Sequence, residues 1–161
     1  MAVHKLQIDD FVTIDYELIA IHSSLEDYRL AYFINQQLLI LLEKCPKDIG
    51  ITTREGESCF SRFFFEDTES ETAYNLIQNK NSVISLQNNT ASLFADAGYD
   101  MATSVFLVPE CKKADYILKV ENILPDVTVE SIVAKLLKIQ QVNTAYTIEH
   151  NKLKSKNNLI F

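Results

Sequence analysis

Val108 to Val120, VPECKKADYILKV, decides how the rest of the chain is read. It runs from a strand end through a proline stop and a charged turn into an alternating strand. Ala114, Tyr116, Leu118 and Val120 fall on one side of that strand, and Asp115, Ile117 and Lys119 on the other. That two-residue period is the mark of a half-buried strand.

Toward the C-terminus, Pro125-Asp126 leads into a helix expected over Thr128–Gln141, whose apolar set Val129, Ile132, Val133, Leu136, Leu137 and Ile139 covers one side. A strand follows over Val142–Ile148, alternating Val142, Thr144, Tyr146 and Ile148 against Asn143, Ala145 and Thr147. The run from Ala114 to Ile148 has the form of a crossover between parallel strands, provided both lie in one sheet.

Toward the N-terminus, Gly98 marks a turn before a strand over Thr103–Val108, and Asn88–Asp100 gives no clear pattern. Short strands are expected over Tyr74–Gln78 and Ser82–Leu86, with Asn79-Lys80-Asn81 as the turn between them. Cys59–Glu66 reads as a strand carrying Phe63, Phe64 and Phe65, and Lys47–Glu57 as a polar loop with Gly50 and Gly56. The spacing predicts a helix from Leu25 to about Lys44, with Ser24 as N-cap, Asp27 completing the cap, and Cys45-Pro46 ending it. Its apolar residues span an arc of roughly 200°, wider than one sheet face requires, so something should cover its second side. The first strand is expected over Phe11–Ile21, with Ile14, Tyr16, Leu18 and Ala20 facing one way.

These elements predict an α+β fold, a mostly antiparallel sheet of about six or seven strands with two helices packed on one face. The 161 residues fit a single domain, with residues 150–161 as a docked C-terminal tail. At 47% hydrophobic and 23% charged, the chain has the composition of a globular domain with a sizeable core. A net charge of -7 argues against non-specific binding to nucleic acid or anionic membrane. Met1–Asp10 lacks the apolar stretch of a secretory signal, and the aliphatic run Leu38–Leu42 is too short to span a bilayer. Cys45, Cys59 and Cys111 are odd in number and widely spaced, so a reduced, cytoplasmic protein is expected.

Through VPECKKADY, the chain resembles the uncharacterised bacterial family named for its Ile-Pro-Glu…Val-Asp-Tyr motif. Pro109, Glu110, Asp115 and Tyr116 match, while Val108 stands for the isoleucine and Ala114 for the valine. DYRLAYFIN (Asp27–Asn35) and LKSKNNLIF (Leu153–Phe161) are similar to the same family, so the resemblance extends over the whole chain. It implies membership and no reaction or ligand.

Glu110 and Asp115 flank the turn, and if it folds back their carboxylates can share a proton or a cation. The plainer expectation is that each accepts backbone N–H bonds or pairs with Lys112, Lys113 or Arg29. Cys111 beside Lys112 and Lys113 has the setting of a lowered thiol pKa, but none of His4, His22 and His150 stands at a distinctive spacing to serve as its base. Asp67, Glu69 and Glu71 superficially resemble a calcium loop, which would need Gly at Thr72 and Glu at Gln78. A solvated acidic edge is the better reading. No zinc-like spacing or glycine-rich phosphate loop is present, and no cofactor is expected. Tyr28, Arg29 and Tyr32 sit at helical spacing, either lining a pocket with Arg29 as an anion fork or serving as core or interface residues, with Arg29 in an ion pair. The apolar end Leu159-Ile160-Phe161 is expected to dock on the domain or a second subunit, leaving Lys152, Lys154 and Lys156 toward solvent.

The ligand- or partner-binding candidates are therefore Tyr28, Arg29, Tyr32, Glu110, Asp115 and Tyr116, with no catalytic or metal set. The function expected is a small non-catalytic interaction module acting as a homodimer. The alternative is a small-molecule sensor with the Gly50–Gly56 loop as its lid, and the third reading is a metal-dependent enzyme using Glu110 and Asp115.

Overall fold

A six-stranded antiparallel sheet organises the chain, in a computed structural model that describes residues 15–54, 56–86 and 100–161. Its strands are β1 (Tyr16–Ser23), β2 (Glu43–Lys44), β5 (Arg62–Glu66), β6 (Ala73–Gln78), β9 (Tyr116–Glu121) and β10 (Val142–Thr147). Their order is β10-β1-β9-β6-β5-β2. Two hairpins stand apart from this sheet: β3 (Ile49–Thr53) with β4 (Gly56–Phe60), and β7 (Lys80–Leu86) with β8 (Asp100–Phe106). The helices α1 (Asp27–Leu38) and α2 (Val129–Leu136) lie on one face, as the α+β reading expects.

The alternation in β9 assigns its two faces. Tyr116, Leu118 and Val120 join Ile19 and Ile21 of β1, Leu76 of β6, Leu30 and Ile34 of α1, and Ile132 and Leu136 of α2 in one core. Ile117 faces the other way, with Leu18, Ala20 and Ile77. That second face is covered by Phe60, Val105, Leu107 and Val108, and by Ile148, Leu153 and Leu159 near the C-terminus. Being central and covered on both sides, β9 is buried from Tyr116 to Val120 rather than half-buried. Both β9 and β10 run antiparallel to β1, so the segment through α2 joins two parallel strands that flank β1.

Several boundaries depart from the sequence expectation. The first helix ends at Leu38, because Leu39 adopts a left-handed conformation (φ 58, ψ 45) and donates its N–H to the Asn35 carbonyl. The Asn35 side chain then holds Leu42, accepting its N–H at 2.8 Å and donating to its carbonyl at 3.3 Å, and Glu43–Lys44 pair as a strand with β5. The continuous 200° arc therefore breaks up: Leu42 is buried, while Leu39 and Leu41 are exposed. Ser24 is not the N-cap; Glu26 occupies that position without a side-chain bond. The neighbouring Ser23 is buried and spends its hydroxyl on the Gln141 carbonyl at 2.9 Å.

Lys47–Glu57 is not a loop but most of the β3–β4 hairpin, in which Gly56 adopts φ +131 with Val83 too close to admit a new side chain comfortably. The Cys59–Glu66 strand is divided at Ser61, whose N–H and hydroxyl both turn to Gln78 Oε1 at 3.3 Å. Most of Asn88–Asp100 lies outside the described residues. In β10 the expected two-residue period fails, because the register slips between His22 and Ser23. A bulge puts Val142 and Ala145, three residues apart, on the same buried side.

Asn79-Lys80-Asn81 is not a hairpin turn either, since β6 pairs with β5 and β9 whereas β7 pairs with β8. Asn79 is the fully buried corner where the chain leaves one sheet for another. Its N–H donates to the Asp115 carbonyl (2.8 Å), and its carbonyl accepts from Leu107 (2.9 Å). Its amide donates to the carbonyls of Cys111 and Ala114 (both 2.9 Å), and its Oδ1 accepts the Val108 N–H (2.8 Å). This one side chain shapes the turn between Val108 and Tyr116 by replacing the sheet bonds that the corner interrupts. Among the described residues, no helix is long and apolar enough to cross a membrane.

Candidate functional site

The motif residues act as tethers in two directions. Asp115 Oδ2 accepts the Ser23 N–H at 3.0 Å, and the buried Tyr116 hydroxyl donates to the Leu25 carbonyl at 2.7 Å. Both bonds fix the segment that enters α1. Burial, reinforced by the carboxylates of Asp27, Asp115 and Glu26, pushes the Tyr116 phenol up to about 12. Glu110 reaches the other way, through the 3-10 turn Pro109–Cys111. Its Oε1 accepts the N–H groups of Lys154 (2.7 Å) and Ser155 (3.0 Å) and the Ser155 hydroxyl (3.2 Å). Partial burial pulls this carboxyl upward, but its own N–H and the bonds from Lys154 and Ser155 outweigh that and hold it below its usual value. Glu110 and Asp115 are thus committed to different segments, each to backbone N–H groups. Among the described residues, no group of three or more His, Cys, Asp or Glu side chains could hold a metal ion.

Cys111 has the opposite character from an activated thiol. Burial first, and then the charge of Glu110, push it up. Its turn borders a cavity of about 540 Å³ between β10 and the C-terminal segment, lined by Cys111, Lys112, Lys113, Tyr146, Ile148 and Leu153 among others.

Tyr28, Arg29 and Tyr32 lie together on the side of α1 opposite Leu30, Ala31 and Ile34. The tyrosines are not core residues, being 59% and 58% exposed. Tyr32 packs edge-on against Phe33 at 5.5 Å and accepts a hydrogen bond from Gln36 at 2.9 Å, and the Glu26 carboxylate raises the Tyr28 phenol. Among the described residues Arg29 makes no ion pair; Asp27 pairs instead with Lys44, at 3.7 Å. Just beyond the end of α1, Leu39 is 89% exposed. A bulky side chain in the left-handed region costs on the order of 1 kcal/mol relative to glycine, the usual occupant of this helix-ending position. Next to Leu39, a cavity of about 430 Å³ opens between the end of α1, α2 and the sheet. Leu38, Ile40, Phe65, Tyr74, Ile123 and Ile132 line it, with Leu39 and the exposed Leu124 also among its lining residues.

The second sheet face carries a polar cluster that the sequence reading passed over. Lys119, only 7% exposed, donates to the Leu159 carbonyl at 3.2 Å and pairs with Glu121 at 2.6 Å. Its ammonium lies 4.8 Å from the Tyr16 ring centre and 5.2 Å from that of Phe161. The Arg62 guanidinium sits 4.0 Å from the Phe161 ring centre and 5.4 Å from that of Phe64, while its Nε donates to Asn75. Two cations thus seat the last aromatic ring. Leu153 and Leu159 are buried beneath the tail, and Ile160 is exposed. The signal in the sequence was Lys119 itself, a charge among the apolar residues Ile117, Leu118 and Val120.

Comparison of the chain with family models, with curated proteins and with solved structures gives no match.

Proposed function

We propose that this chain is a non-catalytic protein-interaction module that acts as a homodimer through the solvent face of α1. The observation that carries this reading is the pair Tyr28 and Tyr32, exposed at 59% and 58% one turn apart on α1, with Leu39 89% exposed just past the end of the helix. An apolar patch of this kind is the usual character of an interface core, and tyrosine supplies contact area at low entropic cost. Arg29 and Gln36 supply polar groups on the same face. The non-catalytic part of the reading is supported by Glu110, Asp115 and Tyr116, which are all engaged in tethering the fold.

The test is sedimentation velocity on the wild type and on a Tyr28→Ser, Tyr32→Ser double variant across micromolar concentrations. The wild type should sediment as a dimer, and the variant as a monomer with an unchanged circular dichroism spectrum. A wild type that stays monomeric at tens of micromolar overturns the reading.

The cavity beside Cys111 supports a second reading, a small-molecule sensor, with Lys112 and Lys113 suited to an anion. Metabolites that raise the melting temperature in proportion to concentration support it, and a screen of nucleotides, amino acids and sugar phosphates without a shift removes it. The family reading rests on VPECKKADY, DYRLAYFIN and LKSKNNLIF. Within the fold these stretches meet, since Glu110 holds Lys154 and Ser155 while Tyr116 fixes the approach to α1. A cytoplasmic location fits the free cysteines.

A further inference from the structure

We propose that the cavity between the end of α1, α2 and the sheet binds a small apolar monocarboxylate, its hydrocarbon part against the core and its carboxylate on Lys135. The inference is independent of both the homodimer and the cavity beside Cys111. The helix-side core does not close at this end. Leu38, Ile40, Phe65, Tyr74, Ile123 and Val127 all pack against it, stay partly buried, and line the roughly 430 Å³ opening. Apolar side chains turned into a concave space are the usual make-up of a small-molecule site, and the volume lies within the range such sites occupy.

Backbone strain gathers around the same opening. Among the described residues, those other than glycine with positive φ are Leu39 (58), Glu71 (57) and Asn122 (53). Leu39 lines the cavity, Glu71 stands between the lining residues Ser70 and Thr72, and Asn122 precedes the lining residue Ile123. Glu71 and Asn122 also border a second groove, but Leu39 belongs to the cavity. Side chains of this size populate the left-handed region sparsely, and residues held there cluster at ligand clamps. Hydrogen bonds hold these three. Asn122 donates its side-chain amide to the Glu71 carbonyl at 3.1 Å, and its own carbonyl accepts the Thr72 hydroxyl at 3.0 Å, while Leu39 is fixed by the Asn35 carbonyl.

The polar part of the rim selects the charge. Asp67 is spent on the Glu69 N–H at 3.0 Å and the Ser70 hydroxyl at 2.8 Å, and the Thr72 hydroxyl on Asn122. Lys135, exposed in the last turn of α2, makes no ion pair among the described residues. The charge left free at the rim is therefore a single cation, which suits one carboxylate on an apolar body.

Sodium octanoate is the probe, with octylamine as the same chain carrying the opposite charge. In methyl NMR spectra of the full chain, octanoate should shift Ile40, Ile123 and Ile132, which line the cavity, in a saturable way. Ile148, which borders the cavity beside Cys111, should stay in place. Lys135→Gln should weaken octanoate by about threefold, the scale of one exposed ion pair, with the melting temperature of the free protein unchanged. Leu39→Gly opens the rim and relieves the backbone, so it should weaken octanoate while the free protein melts no earlier than wild type. Octylamine binding as tightly as octanoate, or octanoate binding Lys135→Gln as tightly as wild type, overturns the carboxylate assignment. Unshifted signals from Ile40, Ile123 and Ile132 at millimolar octanoate, or a shift confined to Ile148, overturn the site itself.

Discussion

The Tyr116 hydroxyl donates a 2.7 Å hydrogen bond to the carbonyl of Leu25, ninety-one positions away, and so ties the central strand to the entry of α1. The placement of the exposed tyrosines depends on that entry, and on the neighbouring bond from Ser23 to Asp115.

Tyr116→Phe leaves the Leu25 carbonyl without its partner and should cost about 1–2 kcal/mol in urea unfolding at neutral pH. The phenol is raised in the folded state, to about 12, so it binds its proton more tightly there than in the unfolded chain. Its contribution is therefore complete below the ordinary tyrosine value of 10.0 and is lost as pH rises from there through the folded value. Wild-type stability should fall across that window, and Tyr116→Phe should fall less. Equal slopes would mean that Tyr116 does not titrate in the folded protein as described.

Glu110 is lowered rather than raised, and the sign reverses. Its tether on the C-terminal segment is complete above the ordinary glutamate value of 4.5 and is lost as pH falls through the depressed folded value. Amide hydrogen exchange at Lys154 and Ser155, taken relative to the intrinsic rate at each pH, should accelerate on acidification ahead of β9. Glu110→Gln should show that acceleration at neutral pH, with little change in global stability because the site is exposed. Unchanged protection in the variant would assign the tether instead to Lys119 and to Asn158, whose side chain donates to the Leu107 carbonyl at 2.8 Å.

Asn79 concentrates more buried bonding than any of the motif residues. Asn79→Ala strands the Val108 N–H and the Ala114 carbonyl, leaves the Cys111 carbonyl only the Ala114 N–H, and should cost about 3 kcal/mol. Chemical denaturation measures it. A loss below about 1 kcal/mol would mean that water replaces the side chain at the corner.

The three free cysteines should react in an order set by exposure and charge. Cys59 is exposed, whereas Cys111 is part-buried with its thiol pushed up by burial and by Glu110. Iodoacetamide labelling followed by peptide mass spectrometry should modify Cys59 first and Cys111 slowly. Rapid modification of Cys111 would contradict the environment described for it.

The layers of the fold were legible because hydrophobic period reports burial directly. Tyr116, Leu118 and Val120 reach the helix side of the sheet as their spacing requires, and Thr128 caps α2 with its hydroxyl accepting the Ser131 N–H at 3.2 Å. What the period could not carry was the backbone chemistry between elements. The left-handed Leu39 and the Asn35 clamp on Leu42 rest on local hydrogen bonds that hydrophobic spacing does not report, and the Asn79 side chain bonds partners 29 to 35 positions away. The same limit applies at β10, where a bulge shifts the period by one residue. In the site, Glu110, Asp115 and Tyr116 were visible as polar residues around a turn, but whether they faced each other or the backbone required the tertiary contacts. Lys119 was visible only as an oddity, and its meaning came from Phe161 and the Leu159 carbonyl on the far face of the sheet.

Sedimentation equilibrium of the unmodified full chain, from sub-micromolar to tens of micromolar, tests the central claim most directly. The account predicts a monomer–dimer equilibrium that reaches the dimer mass within that range and that is abolished by Tyr28→Ser with Tyr32→Ser. A single monomer mass throughout would contradict it, and would leave the solvent face of α1 without the partner proposed for it.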